Sequence, residues 1–408
     1  MPTVVALLVV VLVGMRVDVM YGATVGGLAA VALLPVWWQR LLKNRWGLAL
    51  TAMGIVAVLS GIVLTLWSSI DHSTTLSDEL SRSVRVLQLL AILGAMLWSH
   101  AVAGVAQTCL AFAVGCVAGI PMNISDDPNF WRFTLSIPLG IFVLTLVSMQ
   151  RSLWVQFAAV GGLALIGVLN DSRSNAAFLL LAALAILWQR LRGIPSRKTR
   201  GIGGLLTLVG VGFIVFYLLQ SAILEGYFGE ATQERTAAQI DRSGSVLLGG
   251  RPEIAASFEL IARYPFGLGS GIKANYSDIL AAKSGMFSIG YDPNNGYVER
   301  FMFGGGIELH SVIGDLWLWF GIAGLAIAVI MIAVILTGLL RALAVNSVSI
   351  LFVYLVARFF WDLAYSPVTS TMRLWPIVAS LAIAYASYGL RARAPQLQSL
   401  FIPSGTLR

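Results

Sequence analysis

The chain has 408 residues, of which 58% are hydrophobic and 11% are charged. Soluble domains carry roughly 25% charged residues, so this composition excludes an ordinary cytosolic protein and predicts a protein embedded in a membrane. Lysine and arginine outnumber aspartate and glutamate by 27 to 19, which gives a formal net charge of +8. Because the basic residues cluster in short connections between apolar runs, they indicate the cytoplasmic loops of a membrane protein and no nucleic-acid partner.

Apolar runs divide the chain into membrane spans. A hydrocarbon core of about 30 Å needs about 20 apolar residues, and residues 84–120 as one helix would measure about 55 Å, so we divide that stretch at Ser99 and His100. The pattern predicts an all-α polytopic membrane protein with about twelve spans, the first of which is retained because it lacks the features of a cleaved signal peptide. The predicted spans are 1–20, 22–38, 46–67, 84–98, 101–120, 133–149, 153–169, 175–189, 202–222, 312–336, 345–364 and 374–389.

Three basic clusters predict the orientation of these spans. Counting alternately through twelve spans places all three clusters on one side, which the positive-inside rule assigns to the cytoplasm. Both termini are then cytoplasmic, and residues 390–408 form a cytoplasmic tail. The clusters are Arg40, Lys43 and Arg45; Arg190, Arg192, Arg197, Lys198 and Arg200; and Arg391 and Arg393.

The same count predicts a large extracytoplasmic loop region at 223–311. It separates spans 1–9, which occupy residues 1–222, from spans 10–12, which occupy residues 312–389. It carries charges of both signs, so it can fold in water, and its pattern predicts helices at 229–241, 252–263 and 272–284 separated by Gly-rich turns. The stretch "GGRPEIAASFELIARYPFGLGSG" at 249–271 contains the second of these helices.

Two arginines are candidate anion ligands. Arg251 immediately precedes the helix that Pro252 opens, where free backbone N–H groups and a guanidinium fork favour a bound anion. Arg173 lies at the outer end of a span, where an ionisable residue needs a partner or contact with water. The alternative interpretations are a structural arginine at a helix start for Arg251, and snorkelling or pairing with Asp171 for Arg173.

His310 stands just before the tenth span, and its neutral imidazole is a candidate proton acceptor. Glu308 and Asp315 flank it and would orient it or serve as the base instead; a purely structural histidine is the alternative. Arg358 and Asp362, four residues apart, indicate a structural ion pair. Several aromatic residues suit either stacking on sugar rings or anchoring at the membrane interface: Trp131, Tyr227, Tyr264, Tyr291 and Tyr297.

The order of these features resembles the O-antigen ligase and polymerase family of bacterial membrane glycosyltransferases. The resemblance is clearest over residues 170–325 and is topological elsewhere. The matching motifs are Ser172 and Arg173 at a helix end, Gly250 and Arg251 before a loop helix, Pro265, Gly267 and Gly269 after it, and His310 before the next helix.

The resemblance implies a GT-C-like architecture in the bacterial cytoplasmic (inner) membrane, with the active site facing outward. Such enzymes transfer a glycan from a polyprenyl-diphosphate donor, such as undecaprenyl diphosphate, to an acceptor hydroxyl without a cofactor or metal. Carried over, Arg173 and Arg251 bind the diphosphate, and Arg251 and His310 form the catalytic pair with His310 as the base. This chain has Ser311 and Trp319 where the family often has an asparagine and an acid.

The implied partners are the lipid-linked donor, a glycan or lipid-glycan acceptor, membrane lipids and polysaccharide-assembly proteins. A ligase and a polymerase use the same donor, so both remain alternatives for this chain. The missing acid favours a polymerase or a general lipid-linked glycan transferase. Two other classes compete. A transporter or flippase of lipid-linked oligosaccharides would have interrupted helices in two comparable halves, and a non-catalytic assembly protein would use the 223–311 region to bind a partner.

Overall fold

The protein is described by a computed structural model over residues 1–126, 129–150, 152–191, 197–227, 229–244 and 246–388. Within these ranges every regular element is a helix, and extended segments meet only in isolated bridges. The α-helices are α1 (Pro2–Met15), α2 (Val25–Ala32), α3 (Leu34–Lys43), α4 (Arg45–Ser68), α5 (Leu76–Val102), α6 (Val105–Ala118), α7 (Ser136–Ser148), α8 (Leu153–Leu169), α9 (Arg173–Leu191), α10 (Arg197–Leu224), α11 (Glu230–Ser243), α12 (Val246–Gly250), α13 (Glu253–Arg263), α14 (Tyr276–Ser288), α15 (Val312–Ala344), α16 (Ile350–Tyr365), α17 (Val368–Thr371) and α18 (Trp375–Tyr388).

Six helices among the described residues are long and apolar enough to cross a membrane. A seventh span is formed if α2 and α3, which meet at a bend of 83°, are taken together. The predicted all-α fold is therefore confirmed, with six or seven helices suited to crossing a membrane, whereas twelve crossings stay a prediction. The six candidate spans are Arg45–Ser68, Leu76–Val102, Trp131–Ser148, Arg173–Leu191, Gly201–Leu224 and Val312–Ala344, and shorter apolar helices are Pro2–Met15, Val105–Ala118 and Leu153–Leu169.

The division predicted at Ser99 and His100 is displaced. Helix α5 continues through both residues, and the break falls at Ala103 and Gly104, where Gly104 has a φ of +94°. The same helix starts at Leu76, eight residues before the predicted span, because its first turns pack under the 223–311 region and bury Arg82. Sequence hydropathy alone does not detect a charged helical turn that is covered by another part of the chain.

Some predicted features lie outside the described residues. These are the cytoplasmic tail at 390–408 with Arg391 and Arg393, and the 192–196 part of the strongest basic cluster. The basic cluster at residues 40–45 is described and lies at the junction of α3 and α4.

The 223–311 region contains the predicted helices. Helices α11 and α13 begin and end within two residues of their predicted limits. Helix α14 begins at Tyr276, four residues later than predicted, because Asn275 and Asp278 form a reciprocal capping box that fixes its start. Helices α13 and α14 pack against each other, while α15 packs against α4, α10, α16 and α18.

The Pro-x-Gly-x-Gly turn docks this region onto α15. The N–H groups of Leu268 and Gly269 donate to the Leu318 carbonyl at 2.8 and 3.0 Å. Gly267 has a φ of +88°, and a Cβ there would lie 2.6 Å from the Trp317 carbonyl oxygen, so both conformation and space require glycine. Helix α15 departs from helical dihedrals at Gly321, directly beside this turn. The turn therefore fixes the 223–311 region against the helical core.

Candidate anion-binding site

A cavity of about 400 Å³ lies between the ends of α9 and α10 and is covered by α11 and α12. We call it the α9–α10 cavity. Its polar end is lined by Arg132, Arg173, Arg235 and Arg251, and its apolar part by Phe178, Leu181, Val215, Phe216 and Trp361. The two arginines predicted from separate motifs thus line one cavity, at the junction between a cationic end and an apolar wall.

Arg173 is the first residue of α9 and is held from two sides. Its Nε lies 2.9 Å from Asp171 Oδ1, and its Nη1 donates to Thr236 Oγ1 at 3.0 Å. Thr236 is fully buried in α11, so this hydrogen bond joins a candidate membrane-spanning helix to the 223–311 region. The predicted pairing with Asp171 is present, and Arg173 still lines the cavity.

Asp171 contacts three arginines. Besides Arg173, it lies 3.2 Å from Arg235 Nη1 and 3.6 Å from Arg132 Nη1. Its φ of +53° is unusual for a residue other than glycine and turns the chain just before α9. One carboxylate balances three guanidinium groups here, so the polar end of the cavity keeps an excess of positive charge.

Arg251 reaches the same cavity from the 223–311 region. It follows α12 directly, and its Nη1 lies 3.3 Å from Glu253 Oε1 in the first turn of α13. The Glu253 side chain is buried, and its Oε2 has no hydrogen-bond partner among the described residues. A buried carboxylate that is only partly satisfied favours a cation or a donor beside it.

His310 lies next to Tyr297 and is not among the residues that line the α9–α10 cavity. The two ring centroids are 6.4 Å apart. Burial raises the pKa of the Tyr297 phenol, and the nearby Glu253 carboxylate raises it further, so Tyr297 stays neutral between Glu253 and His310. Arg251, Glu253, Tyr297 and His310 therefore form a continuous series from the cavity to the candidate base.

The loop that carries His310 is fixed by its neighbours. Asp315 is fully buried and accepts hydrogen bonds from the N–H of Leu309 at 2.6 Å and of Val368 at 2.9 Å. Both of its oxygens are thus engaged with backbone, and Asp315 holds the loop without contacting the imidazole. His310 has a φ of +54°, and its Nδ1 lies 3.4 Å from the Glu308 carbonyl oxygen. The Glu308 carboxylate lies within electrostatic range of Arg82.

The two positions at which the chain departs from the family pattern have structural contacts. Ser311 Oγ donates to the Leu363 carbonyl at 3.0 Å and accepts the N–H of Gly314 at 3.2 Å, which caps α15. Trp319 Nε1 donates to the Ile307 carbonyl at 3.0 Å, and its ring lies 4.9 Å from the Arg82 guanidinium carbon. Both side chains support the segment before α15.

Sequence reasoning missed Arg132 and Arg235 as members of the site. Arg132 lies in the π-helical turn Trp131–Leu135 that precedes α7, so the signal that singled out Arg173, a cation at the end of an apolar span, was present there too. Arg235 lies in α11, within the 223–311 region that carries charges of both signs. Its approach to Asp171 depends on how α11 folds over α9.

No group of three His, Cys, Asp or Glu side chains within the described ranges is arranged to hold a metal ion. Comparisons of the chain with protein-family models, curated proteins and solved structures find no match. Function is therefore inferred from the geometry and charge of the cavity and its surroundings.

Proposed function

We propose that the protein is a membrane glycosyltransferase that moves a glycan from a polyprenyl-diphosphate donor to an acceptor hydroxyl at the outer face of the bacterial cytoplasmic membrane. The observation that carries this proposal is the shared cavity of Arg173 and Arg251, whose apolar wall is built by membrane helices. A lipid diphosphate joins a compact double anion to a long apolar chain, and the cavity joins the same two chemistries.

The charge of the cavity suits a diphosphate. Four arginines face two carboxylates, Asp171 and Glu253, so two positive charges are left over. Guanidinium groups bind phosphate oxygens through paired, charge-assisted hydrogen bonds. When the bond between the sugar and the diphosphate breaks, negative charge grows on the leaving group, and arginines already in place stabilise it.

The exposed surface of α10 gives a lipid access to the α9–α10 cavity. Only 12% of the apolar 18-residue stretch within α10 is buried by the rest of the protein. The helix is therefore exposed to lipid along most of its length. Val215 and Phe216 of α10 nevertheless line the cavity. A polyprenyl chain in the bilayer therefore reaches the apolar wall beside α10 while its diphosphate lies among the arginines.

The acceptor side is assigned to His310 and Tyr297. The imidazole accepts the proton of the acceptor hydroxyl as the hydroxyl oxygen attacks the sugar carbon. The aromatic faces of Tyr297 and Tyr291, whose centroids are 6.2 Å apart, offer a stacking surface for the sugar that carries the hydroxyl. A ligase and a polymerase share this chemistry and differ only in the acceptor.

The membrane topology that we propose follows from the predicted spans. Twelve crossings in a GT-C-like arrangement, with both termini in the cytoplasm, put the 223–311 region and the cavity on the outer face. The positive-inside distribution of the basic loops supports this orientation.

A transporter or flippase is the second candidate, and one observation favours it. Helix α15 is interrupted at Gly321, as transporter helices often are at their binding sites. In this protein, however, the Pro-x-Gly-x-Gly turn occupies that interruption, with the Phe266 carbonyl beside Gly321. The break therefore serves the docking of the 223–311 region, and glycan transfer is the better supported function.

Glycan transfer by the purified full-length protein tests the proposal. The protein in detergent receives a polyprenyl-diphosphate oligosaccharide and an acceptor glycan, with a chelator in a parallel reaction. Wild type is compared with Arg173→Ala, Arg251→Ala and His310→Ala. Arg263→Ala is the matched control, because Arg263 is exposed at the other end of α13 and does not line the cavity.

We expect wild type and Arg263→Ala to release polyprenyl diphosphate and extend the acceptor, with or without chelator. Each of the other variants should lose at least about a hundredfold in rate, the scale seen when one transition-state contact is removed. Full activity in Arg173→Ala and Arg251→Ala would move the donor site elsewhere. Movement of intact donor across a vesicle membrane without transfer would instead establish the transporter.

A further inference from the structure

A second group of arginines lies outside the α9–α10 cavity. Arg16, Arg85 and Arg373 line a separate cavity of about 40 Å³, together with Thr24, Gln88 and Thr369. We call it the α1–α5 cavity, after two of the helices that frame it. The proposed glycan transfer uses none of these residues.

Three distant parts of the chain bring these arginines together. Arg16 follows the last residue of α1 with a φ of +49°, and its Nη2 donates to the Thr369 carbonyl at 2.7 Å. Arg85 lies one turn beyond Arg82, which itself donates to the Ser270 carbonyl of the 223–311 region at 2.7 Å. Arg373 lies in the 3₁₀ turn Met372–Leu374, just before α18. The cavity thus lies on the side of the protein that carries the 223–311 region.

The positive charge of this cavity is poorly balanced. Among the residues that the structure describes, none of the three arginines has a carboxylate within 4.0 Å. Asp18, the one carboxylate in the lining, is an exposed residue. Like charges that are removed from water repel strongly unless a counter-charge joins them. The arrangement therefore favours an anion from outside the chain.

Arg373 shows the missing partner most clearly. Its Nε is buried and has no hydrogen-bond partner within the described ranges. Burial lowers the pKa of its guanidinium to about 10, and the positive charges of Arg16 and Arg358 lower it further. A buried N–H that donates to no acceptor destabilises the ligand-free protein, and a bound acceptor would remove that cost.

The size and walls of the cavity limit its ligand. A volume of about 40 Å³ is too small for a sugar ring and corresponds to roughly one compact anion or very few water molecules. The Gln88 amide is a fixed wall, because its Oε1 accepts the N–H of Thr24 at 3.1 Å and its Nε2 donates to the Gly22 carbonyl at 2.6 Å. Three converging guanidinium groups suit the several oxygens of a phosphate better than the two of a carboxylate.

We propose that the α1–α5 cavity is a phosphate-binding site, which takes either inorganic phosphate or the head-group phosphate of a membrane lipid. This assignment does not depend on glycan transfer. Arg16, Arg85 and Arg373 are its ligands, and Asp18 limits its net charge. Its position at the ends of membrane helices, where Arg16 ends α1 and Arg373 precedes α18, places it at the depth of lipid head groups.

Binding to the purified full-length protein in phospholipid-free maltoside detergent tests the assignment. One titration uses inorganic phosphate and is matched in ionic strength with chloride, which corrects for screening. A second uses dihexanoyl phosphatidylglycerol below its micelle concentration, with dihexanoylglycerol as the probe without phosphate. Calorimetry gives the dissociation constant, and thermal unfolding gives an independent shift.

Substitutions assign the binding to this cavity. Arg85→Gln and Arg373→Gln should each weaken phosphate binding at least about tenfold, the effect of losing one charge-assisted hydrogen bond. Arg40→Gln is the control, because Arg40 is an exposed residue of α3 away from this cavity. Asp18→Asn changes an exposed residue and should strengthen binding about threefold by removing the one opposing charge in the lining.

Binding of both probes identifies a general phosphate site, and binding of the phosphatidylglycerol alone identifies a lipid head-group site. Failure of wild type to bind either probe beyond its matched control would overturn the assignment. So would affinities that Arg85→Gln, Arg373→Gln and Asp18→Asn all leave unchanged. If the arginine variants do not fold, the Asp18→Asn result decides alone.

Discussion

The α9–α10 and α1–α5 cavities each gather three or more arginines, yet they balance that charge in different ways. In the first, Asp171 lies within 3.6 Å of Arg132, Arg173 and Arg235. In the second, the three arginines lack a carboxylate at this distance within the described residues. The comparison shows two ways to hold like charges together: a carboxylate supplied by the chain, or an anion supplied from outside.

The difference bears on how each cavity acts. Asp171 occupies the same guanidinium groups that a diphosphate would bind, so it holds them in position and also competes with the ligand. Such an arrangement suits a substrate that must bind and then leave. In the part of the chain that the structure describes, the α1–α5 cavity has no carboxylate paired with its arginines, so an anion bound there would stabilise the fold.

Asp171→Asn removes this difference and has the largest expected effect. Since the carboxylate competes for three partly exposed guanidinium groups, we expect inorganic pyrophosphate to bind about tenfold more tightly, while the ligand-free protein becomes less stable. Calorimetric titration and thermal unfolding measure the two effects. Asp241→Asn, at an exposed site of α11, is the control. Weaker pyrophosphate binding would mean that Asp171 acts mainly by positioning the arginines.

Thr369→Asp makes the opposite change and introduces a carboxylate into the α1–α5 cavity. Because the new charge would pair with Arg16, Arg85 or Arg373, we expect phosphate to bind about fivefold more weakly and the ligand-free protein to gain about 0.5–1 kcal/mol in stability. Ser370→Asp places the same charge on the next, exposed residue and should change neither quantity. If Thr369→Asp and Ser370→Asp behave alike, general surface charge and not the cavity determines phosphate binding.

The two cavities also differ in how much of them the sequence predicts. Arg173 and Arg251 were identified because each stands at a helix end with a local motif around it. Their approach to each other depends on the packing of α11 and α12 over α9, which Thr236 helps to fix. Arg16 and Arg373 lie 357 positions apart by their numbers, without a local motif, so only the folded chain shows that they share a cavity.

The helices of the fold, like Arg173 and Arg251, are predictable where the signal is local in the sequence. Apolar runs identify helices wherever each helix is chiefly in contact with lipid or with other apolar helices. The prediction lost accuracy where a different part of the chain covers a charged turn, as at Arg82, or where a glycine ends a helix without a change in hydropathy, as at Gly104. Apolar patterns predict that a helix exists, whereas its ends are set by local caps and glycines or by contacts with distant segments.

A third difference concerns the candidate base: among the described residues, Glu253 and Tyr297 connect His310 to the α9–α10 cavity and not to the α1–α5 cavity. Burial and the Glu253 charge raise the pKa of Tyr297 in the folded protein. Its contribution to stability is therefore fully present below the ordinary tyrosine pKa of about 10 and is lost as the pH rises through the folded value. Tyr297→Phe has no phenol to ionise and escapes this loss.

We therefore expect the stability of wild type, relative to Tyr297→Phe, to fall by about 0.8 kcal/mol between pH 8 and pH 10.5, because the unfolded tyrosine ionises while the folded one does not. Thermal unfolding in detergent at both pH values measures the difference. Tyr276→Phe is the control, because Tyr276 is 74% exposed and the substitution removes the same phenol from the protein surface. An equal response in the two variants would place Tyr297 in contact with water, and the series from Arg251 to His310 would then be open to solvent at its centre.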